Sequence, residues 1–362
     1  MHLRVALVTA AVALAAFAPG PWQVGLGAEP ATSTIQSFSG GAGWLNGPPL
    51  DPAQLRGKIV LVDFWEYTCL NCLRTLPYLR EWYRRYRDDG FAIVGVHTPE
   101  FGFSGERANV AAAIERLDIG WPVVLDDSYA IWKRYGNTVW PHEYLYDRNG
   151  RLVESFEGEG GYQDTETRIQ ALLRSEQPSR KLPAVMALLP QDSYDKAGAV
   201  CYPHTAEILI RHRDIANATA QNDPARDTNY SIGSPPRDGA IELSGYWHLT
   251  RDAAVSGESG GYLALRYHAI QLVAVLKPER GGSTRIAVMQ DGKPVPKQDA
   301  GKDLRYDASG SYVLVDAPRA YDLVMNSAYG SHEIELSPHG DGVGFYDFAF
   351  ESCEIPQGAP PK

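Results

Sequence analysis

Cysteine is scarce in this chain: there are four in 362 residues, and methionine is equally rare. So few cysteines exclude the dense disulfide framework of small stapled proteins. A four-cysteine zinc site needs two close pairs, but only Cys69 and Cys72 are close, and no histidine stands at ligand spacing from them. No metal or other cofactor is therefore expected. Cys-x-x-Cys-His is absent, which excludes a covalently attached c-type haem. Basic runs are missing too. The densest, "WYRRYRDD" from Trp82, has the spacing of one solvated helix face. With a formal net charge of −10, this argues against nucleic acid as a partner. Internal repeats are absent. Past residue 18 no apolar run is long enough to span a bilayer.

What is present begins with a leader. "MHLRVALVTAAVALAAFAPG" carries one arginine and then an apolar run from Val5 to Ala18, followed by small residues up to Ala28. The length fits the apolar region of a signal peptide, predicted over 1–28. An uncleaved tether is the alternative. Either reading predicts an exported chain, periplasmic or secreted, in which disulfides are permissible.

From 34 to 176 strand-like and helix-like segments alternate. "KIVLVDFW" and "FAIVGVH" are continuous apolar runs, as strands buried on both faces should be. A helix is predicted from Asn71 to about Arg87, and a second places Val110, Ala113, Ile114 and Leu117 on one face. "HEYLYDRNGRLVESFEG" reads as a hairpin around Asn149-Gly150, and "TETRIQALLRSE" closes with a helix. The prediction is an α/β domain with a central mixed sheet flanked by helices. A linker follows over 177–199. Residues 200–356 hold short β-prone runs separated by turn signals such as Asp291-Gly292, which predicts an all-β sandwich or jelly roll.

The chemistry concentrates in "DFWEYTCLNCLRTLPYL", from Asp63 to Leu79. A dithiol that shuttles electrons needs a reactive thiolate, a resolving thiol, a proton acceptor and a surface for its substrate. Cys69 at a helix start has unpaired N–H groups and the positive dipole end to stabilise a thiolate, and Cys72 lies one turn on. Asp63 sits inside the apolar strand, where burial should raise its pKa and let it accept a proton near neutrality. Glu66 is read as a solvated surface residue, with tuning of the pair as the alternative. Pro141 opens a strand after Trp140, where a proline cannot donate to the ladder and leaves an extended edge facing the dithiol.

These residues carry a resemblance. "VDFWxxxCxxC", Pro77 eight residues after Cys69, and Pro141 resemble the thioredoxin superfamily at every fixed position. The long gap from Cys72 to Pro141 resembles the exported TlpA and ResA group. "FWEYTCLNCLRTLPYL", "VGVHTPEF" and "YGNTVWPHEYLYDRNG" are similar to the extracytoplasmic part of DipZ-type proteins, whose β domain the C-terminal region resembles more loosely. The resemblance implies a thiol–disulfide oxidoreductase with Cys69, Cys72, Asp63 and Pro141 catalytic. It implies that Trp65 and Trp140 contact substrate, that protein thiols and disulfides are the substrates, and that cytochrome c maturation is a possible setting. The multi-span membrane domain of DipZ-type proteins is not in this sequence, so electrons would come from a separate donor. Leu70-Asn71 replaces the Gly-Pro of thioredoxin, which leaves direction open between reduction and disulfide insertion.

A thiol peroxidase is the second reading, since peroxiredoxins share the insertion. That family would want threonine three before the cysteine, where Glu66 stands. Cys201 and Cys353 bracket the β domain and are expected to form a structural disulfide, with a regulatory role towards Cys69 as the alternative. Tyr246, Trp247, Tyr262 and Tyr267 raise a third possibility, a carbohydrate- or protein-binding surface on the β domain.

Overall fold

A computed structural model describes residues 33–190, 192–218, 227–233, 236–340 and 342–355. The leader expected over 1–28 lies outside them. No helix among the described residues is long and apolar enough to cross a membrane.

The N-terminal domain is built on β2 (Ile59–Trp65), all seven of whose residues are buried. It pairs in parallel with β3 (Phe91–His97) and antiparallel with β5 (His142–Tyr146). Outside these lie β4 (Val123–Leu125), then β1 (Gly43–Leu45), and on the other side β6 (Leu152–Glu157). Pairing on both edges explains why "IVLVDFW" shows no polar alternation. The chain crosses from β2 to β3 through α1 (Leu70–Tyr86) and from β3 to β4 through α2 (Arg107–Arg116). A short α3 (Ala130–Tyr135) precedes β5, and α4 (Tyr162–Arg174) follows β6. Neither β1 nor α3 is legible in the sequence, because three and six residues are too few to show a period.

The two faces of β2 part its residues cleanly. Val60, Val62 and Phe64 pack with Tyr135 and Tyr144, whereas Ile59, Leu61 and Trp65 pack with Cys72, Leu76 and Leu79 of α1. Asp63 falls by alternation on the α1 face. Gly95 stands beside it on β3, and a Cβ there would approach the indole nitrogens of Trp65 and Trp121 at 3.0 and 3.2 Å.

The predicted linker is a fastened strap. Leu182, Met186, Leu188, Leu189 and Tyr194 pack against the α1 core, Glu166 accepts from the Met186 N–H at 2.7 Å, and Tyr78 donates to Asp192.

The C-terminal domain is all-β and antiparallel. Its strands are β7 (Val200–Cys201), β8 (Ile208–Leu209), β9 (Thr228–Tyr230), β10 (Ile241–Leu249), β11 (Ala254–Pro278), β12 (Thr284–Gln290), β13 (Lys293–Pro294), β14 (Arg305–Asp307), β15 (Gly310–Val315), β16 (Arg319–Pro338), β17 (Val343–Glu351) and β18 (Cys353–Glu354). Ten of them form one continuous sheet. β11 runs 25 residues and β16 runs 20, where the sequence suggests several shorter strands. Both ends of β11 pair with β17 at the same residues: Phe345 faces Ala254 and Leu276, and Gly344 faces Val255 and Lys277. The sheet therefore closes on itself around one core, and a single long strand contributes to both of its layers. Gly261 makes the tight passage beside β10 possible, since a Cβ there would lie 2.0 Å from the Ser244 carbonyl oxygen. Cys201 and Cys353 are disulfide-bonded and join β7 to β18.

Candidate active site

The two domains meet at the dithiol helix. Arg74 of α1 binds Glu159 at 3.0 Å, Glu351 of β17 at 2.8 Å and Gln271 of β11 at 2.5 Å. Phe103 and Tyr346 pack edge to face with centroids 4.7 Å apart.

Cys69 is the N-cap of α1, and the Cys72 N–H donates to its Sγ at 3.2 Å. The sulfurs lie 2.6 Å apart, with Cys69 half-buried and Cys72 buried. The helix end thus supplies the expected N–H. Burial nevertheless outweighs it and pushes the Cys69 thiol above its ordinary pKa, with Cys72 lowering it and Glu66 raising it further. Cys72 is pushed well above its ordinary value, by burial first, then by Cys69, with Asp63 adding to the effect. Burial thus opposes the thiolate that the helix end would favour.

Asp63 is buried, with neither carboxyl oxygen hydrogen-bonded. Desolvation raises its pKa to about 8. Directly across the strand pair stands Glu143, also buried, held well above the usual carboxylate range by burial and by Asp63. Opposed residues on paired strands share a face, so the two carboxyl groups form one proton-holding pair beneath Cys72. The sequence reading passed over Glu143. The signal that marks Asp63, a charge within a buried run, was present in "HEYLY", where all five residues are buried.

Glu66 corrects another expectation, for it is wholly buried. Its Oε2 accepts from the N–H groups of Thr68 at 2.6 Å and Cys69 at 3.1 Å, and from the Thr68 hydroxyl. The carboxyl thus occupies the positive helix end that would otherwise favour a thiolate. His97 lies 3.8 Å away, but burial lowers its pKa to about 3, so the contact is not an ion pair at neutral pH. Glu66→Gln should keep the N–H contacts, lower the Cys69 pKa and speed Cys69 alkylation several-fold at pH 7. The pH profile of iodoacetamide labelling measures this, and an unchanged profile would assign Glu66 to structure alone.

Trp140 and Pro141 are joined by a cis peptide bond. Trp140 is half-buried, with its ring 4.4 Å from that of Trp132, and it lines the domain seam with Glu100, Phe101 and Tyr346. Trp65 is only 1 % exposed and packs edge-on against His97, so direct substrate contact does not fit its position. Trp247 and Tyr267 are likewise sealed in the β-domain core, which removes them as sugar-stacking surfaces. Tyr246 remains exposed at 41 %. Among the described residues no group of histidine, cysteine, aspartate or glutamate has a metal-binding arrangement.

Comparisons with known proteins match two separate stretches of the chain. The AhpC/TSA family model matches residues 44–155, and the thioredoxin-like C-terminal domain model matches residues 205–350. Protein DipZ of Mycobacterium bovis is 33 % identical over 322 residues, 88 % of this chain and 43 % of its own. The thiol–disulfide oxidoreductase ResA of Bacillus thuringiensis is 28 % identical over 115 residues, 32 % of this chain and 64 % of its own. A solved thioredoxin-like protein in its oxidised form is 26 % identical and covers 40 % of this chain and 96 % of its own, with a TM-score of 0.37. The chain therefore spans less than half the length of the DipZ proteins it matches.

Proposed function

We propose that the chain, which matches the AhpC/TSA family model ahead of the thioredoxin-like C-terminal domain model, is an exported thiol–disulfide oxidoreductase that reduces disulfides of extracytoplasmic proteins. The observation that carries this reading is the stack of Cys69 at the helix start, Cys72 behind it, and the buried Asp63–Glu143 pair beneath.

Cys69, as thiolate, attacks one sulfur of the substrate disulfide. The other substrate sulfur leaves as a thiolate, and a mixed disulfide joins Cys69 to the substrate. Cys72 then gives its proton to an ionised carboxylate of the Asp63–Glu143 pair. The Cys72 thiolate attacks Cys69 Sγ and expels the second substrate thiolate. The substrate gains two electrons, and the protein ends as a Cys69–Cys72 disulfide. An electron donor must return those electrons. Pro141 and Trp140, joined by the cis peptide, serve as the substrate's platform in this reading. Raised thiol pKa values at both cysteines disfavour the thiolate form and so favour a low potential, the direction of a reductant.

The AhpC/TSA match also raises the peroxidase reading. Glu66 opposes it: its carboxyl holds the Cys69 N–H and sets a second acceptor where a peroxide oxygen would need a donor. The deciding experiment equilibrates the protein with thiol/disulfide buffers and counts alkylated cysteines by mass. We expect a potential near or below about −250 mV and negligible peroxide consumption. A value near about −120 mV would make it an inserter of disulfides instead.

A further inference from the structure

Between the domains, one turn from the dithiol, lies a cavity of about 450 Å³. Its α1 wall includes Leu70, the residue that follows Cys69, with Leu73, Pro77 and Arg80. Arg116 and Leu117 close one side, and Val273, Met325, Lys302 and Arg319 come from the β domain. The lining combines apolar side chains with five cations against two carboxylates, Asp303 and Asp322.

Most of those cations have partners. Arg74 is neutralised by Glu159 and Glu351, and Arg319 by Asp303 at 2.8 Å. Lys302 faces Asp322. Arg80 and Arg116 form no ion pair among the described residues. The Arg80 guanidinium caps the Leu117 carbonyl at 2.6 Å and keeps its charge uncompensated. Arg116 lies within electrostatic reach of Arg319, which repels it, and of Asp316, whose attraction is the weaker of the two. The chain as a whole carries −10, so its remaining surface repels anions. This cavity is a local exception beside the reacting sulfurs.

We propose that the cavity is a specificity subsite for the residues flanking a substrate cysteine, and that it selects a segment with an acidic side chain next to a large apolar one. The volume suits two or three side chains and falls in the range of ligand pockets. Leu70 and Leu73 supply the apolar floor, and Arg80 and Arg116 the charge that a carboxylate would meet. Leu70, which follows Cys69 in the chain, ties the cavity to the start of the dithiol helix. This inference rests on the thiol–disulfide reading above.

The test uses the reduced full chain and three disulfides. Two are synthetic peptides whose single cysteine carries a methylthio group, one flanked by Glu-Leu and the other by Lys-Leu. The third is hydroxyethyl disulfide, uncharged and too small to fill the cavity. We expect the Glu-Leu peptide to react about tenfold faster than the Lys-Leu peptide at low salt, with the ratio shrinking as salt is added. Arg80→Glu with Arg116→Glu should erase or invert the ratio and leave the hydroxyethyl disulfide rate unchanged. Because Arg80 caps a helix end, Arg116→Glu with Lys302→Glu, both at exposed positions, provides a second pair that spares that cap. Equal rates for the two peptides while hydroxyethyl disulfide reacts, or a preference that survives both variant pairs, would overturn the subsite. Failure of all three disulfides to react would instead overturn the redox reading and this proposal with it.

Discussion

Replacing Asp63 by asparagine should slow resolution of the mixed disulfide by roughly 10²- to 10⁴-fold, the range attributable to a positioned general base. In the wild-type protein the resolving step should quicken as pH rises through about 8, where Asp63 gives up its proton. The variant should lose that rise. Rapid acid quench followed by mass measurement of the Cys69 adduct reads the step directly, and equal lifetimes in the two proteins would rule out Asp63 as the acceptor. Stability should move the opposite way. The folded pKa of Asp63 is raised far above the value of about 3.9 in an unfolded chain. Its contribution is therefore complete below pH 4 and is lost as pH climbs to 8. At pH 7 the cost is about 4 kcal/mol, part of which an asparagine would retain because its own amide must be buried unpaired. A net gain of about 1–3 kcal/mol at pH 7, vanishing near pH 4, is the expected result of urea melts across that window.

The second large effect concerns the Cys201–Cys353 disulfide. It closes a loop of 152 residues around nearly the whole β domain. In the chain-entropy account such a loop destabilises the unfolded state by about 5 kcal/mol. Cys201→Ala with Cys353→Ala should therefore lower β-domain stability by up to that amount. The Ser193 hydroxyl bond to the Cys353 carbonyl and the Ser352 hydroxyl bond to the Tyr202 carbonyl would remain and limit fraying. Denaturant melts followed by β-domain fluorescence measure the loss. Mild reduction that opens Cys69–Cys72 should leave this bridge intact. Co-reduction at the same potential would point to an exchange role instead.

The α/β domain was readable because its signals are local. An apolar run bounded by turn residues predicts β2 and β3 almost to the residue, and an aspartate inside such a run announces a buried acid. Glu66 was misread because nothing within "WEYTC" shows that the domain closes over it. Its burial depends on β3 and on Ser104, distant in sequence. The same limit applies to Arg74. On a helix it reads as a surface cation, and only the β domain supplies Glu351 and Gln271. Only the run from Tyr262 to Leu276 of β11 is legible, because the glycines at 257 and 261 interrupt the apolar pattern before it, although the close approach to β10 requires Gly261.

The closure of the β domain has a consequence for the order in which the protein can assemble. β17 fills the gap between the two ends of β11, so the sheet stays open until residue 351 is available. The strands and helices of the α/β domain are complete by residue 174 and the strap over α1 by residue 194. A chain emerging from its N-terminus would therefore expose a finished dithiol before its β domain can shut. In that interval the cysteines stand without the wall that Glu351 and Gln271 later fasten to Arg74. The segment that seals the sheet also brings Cys353 to Cys201, so the domain closes its sheet and its covalent tie in the same step.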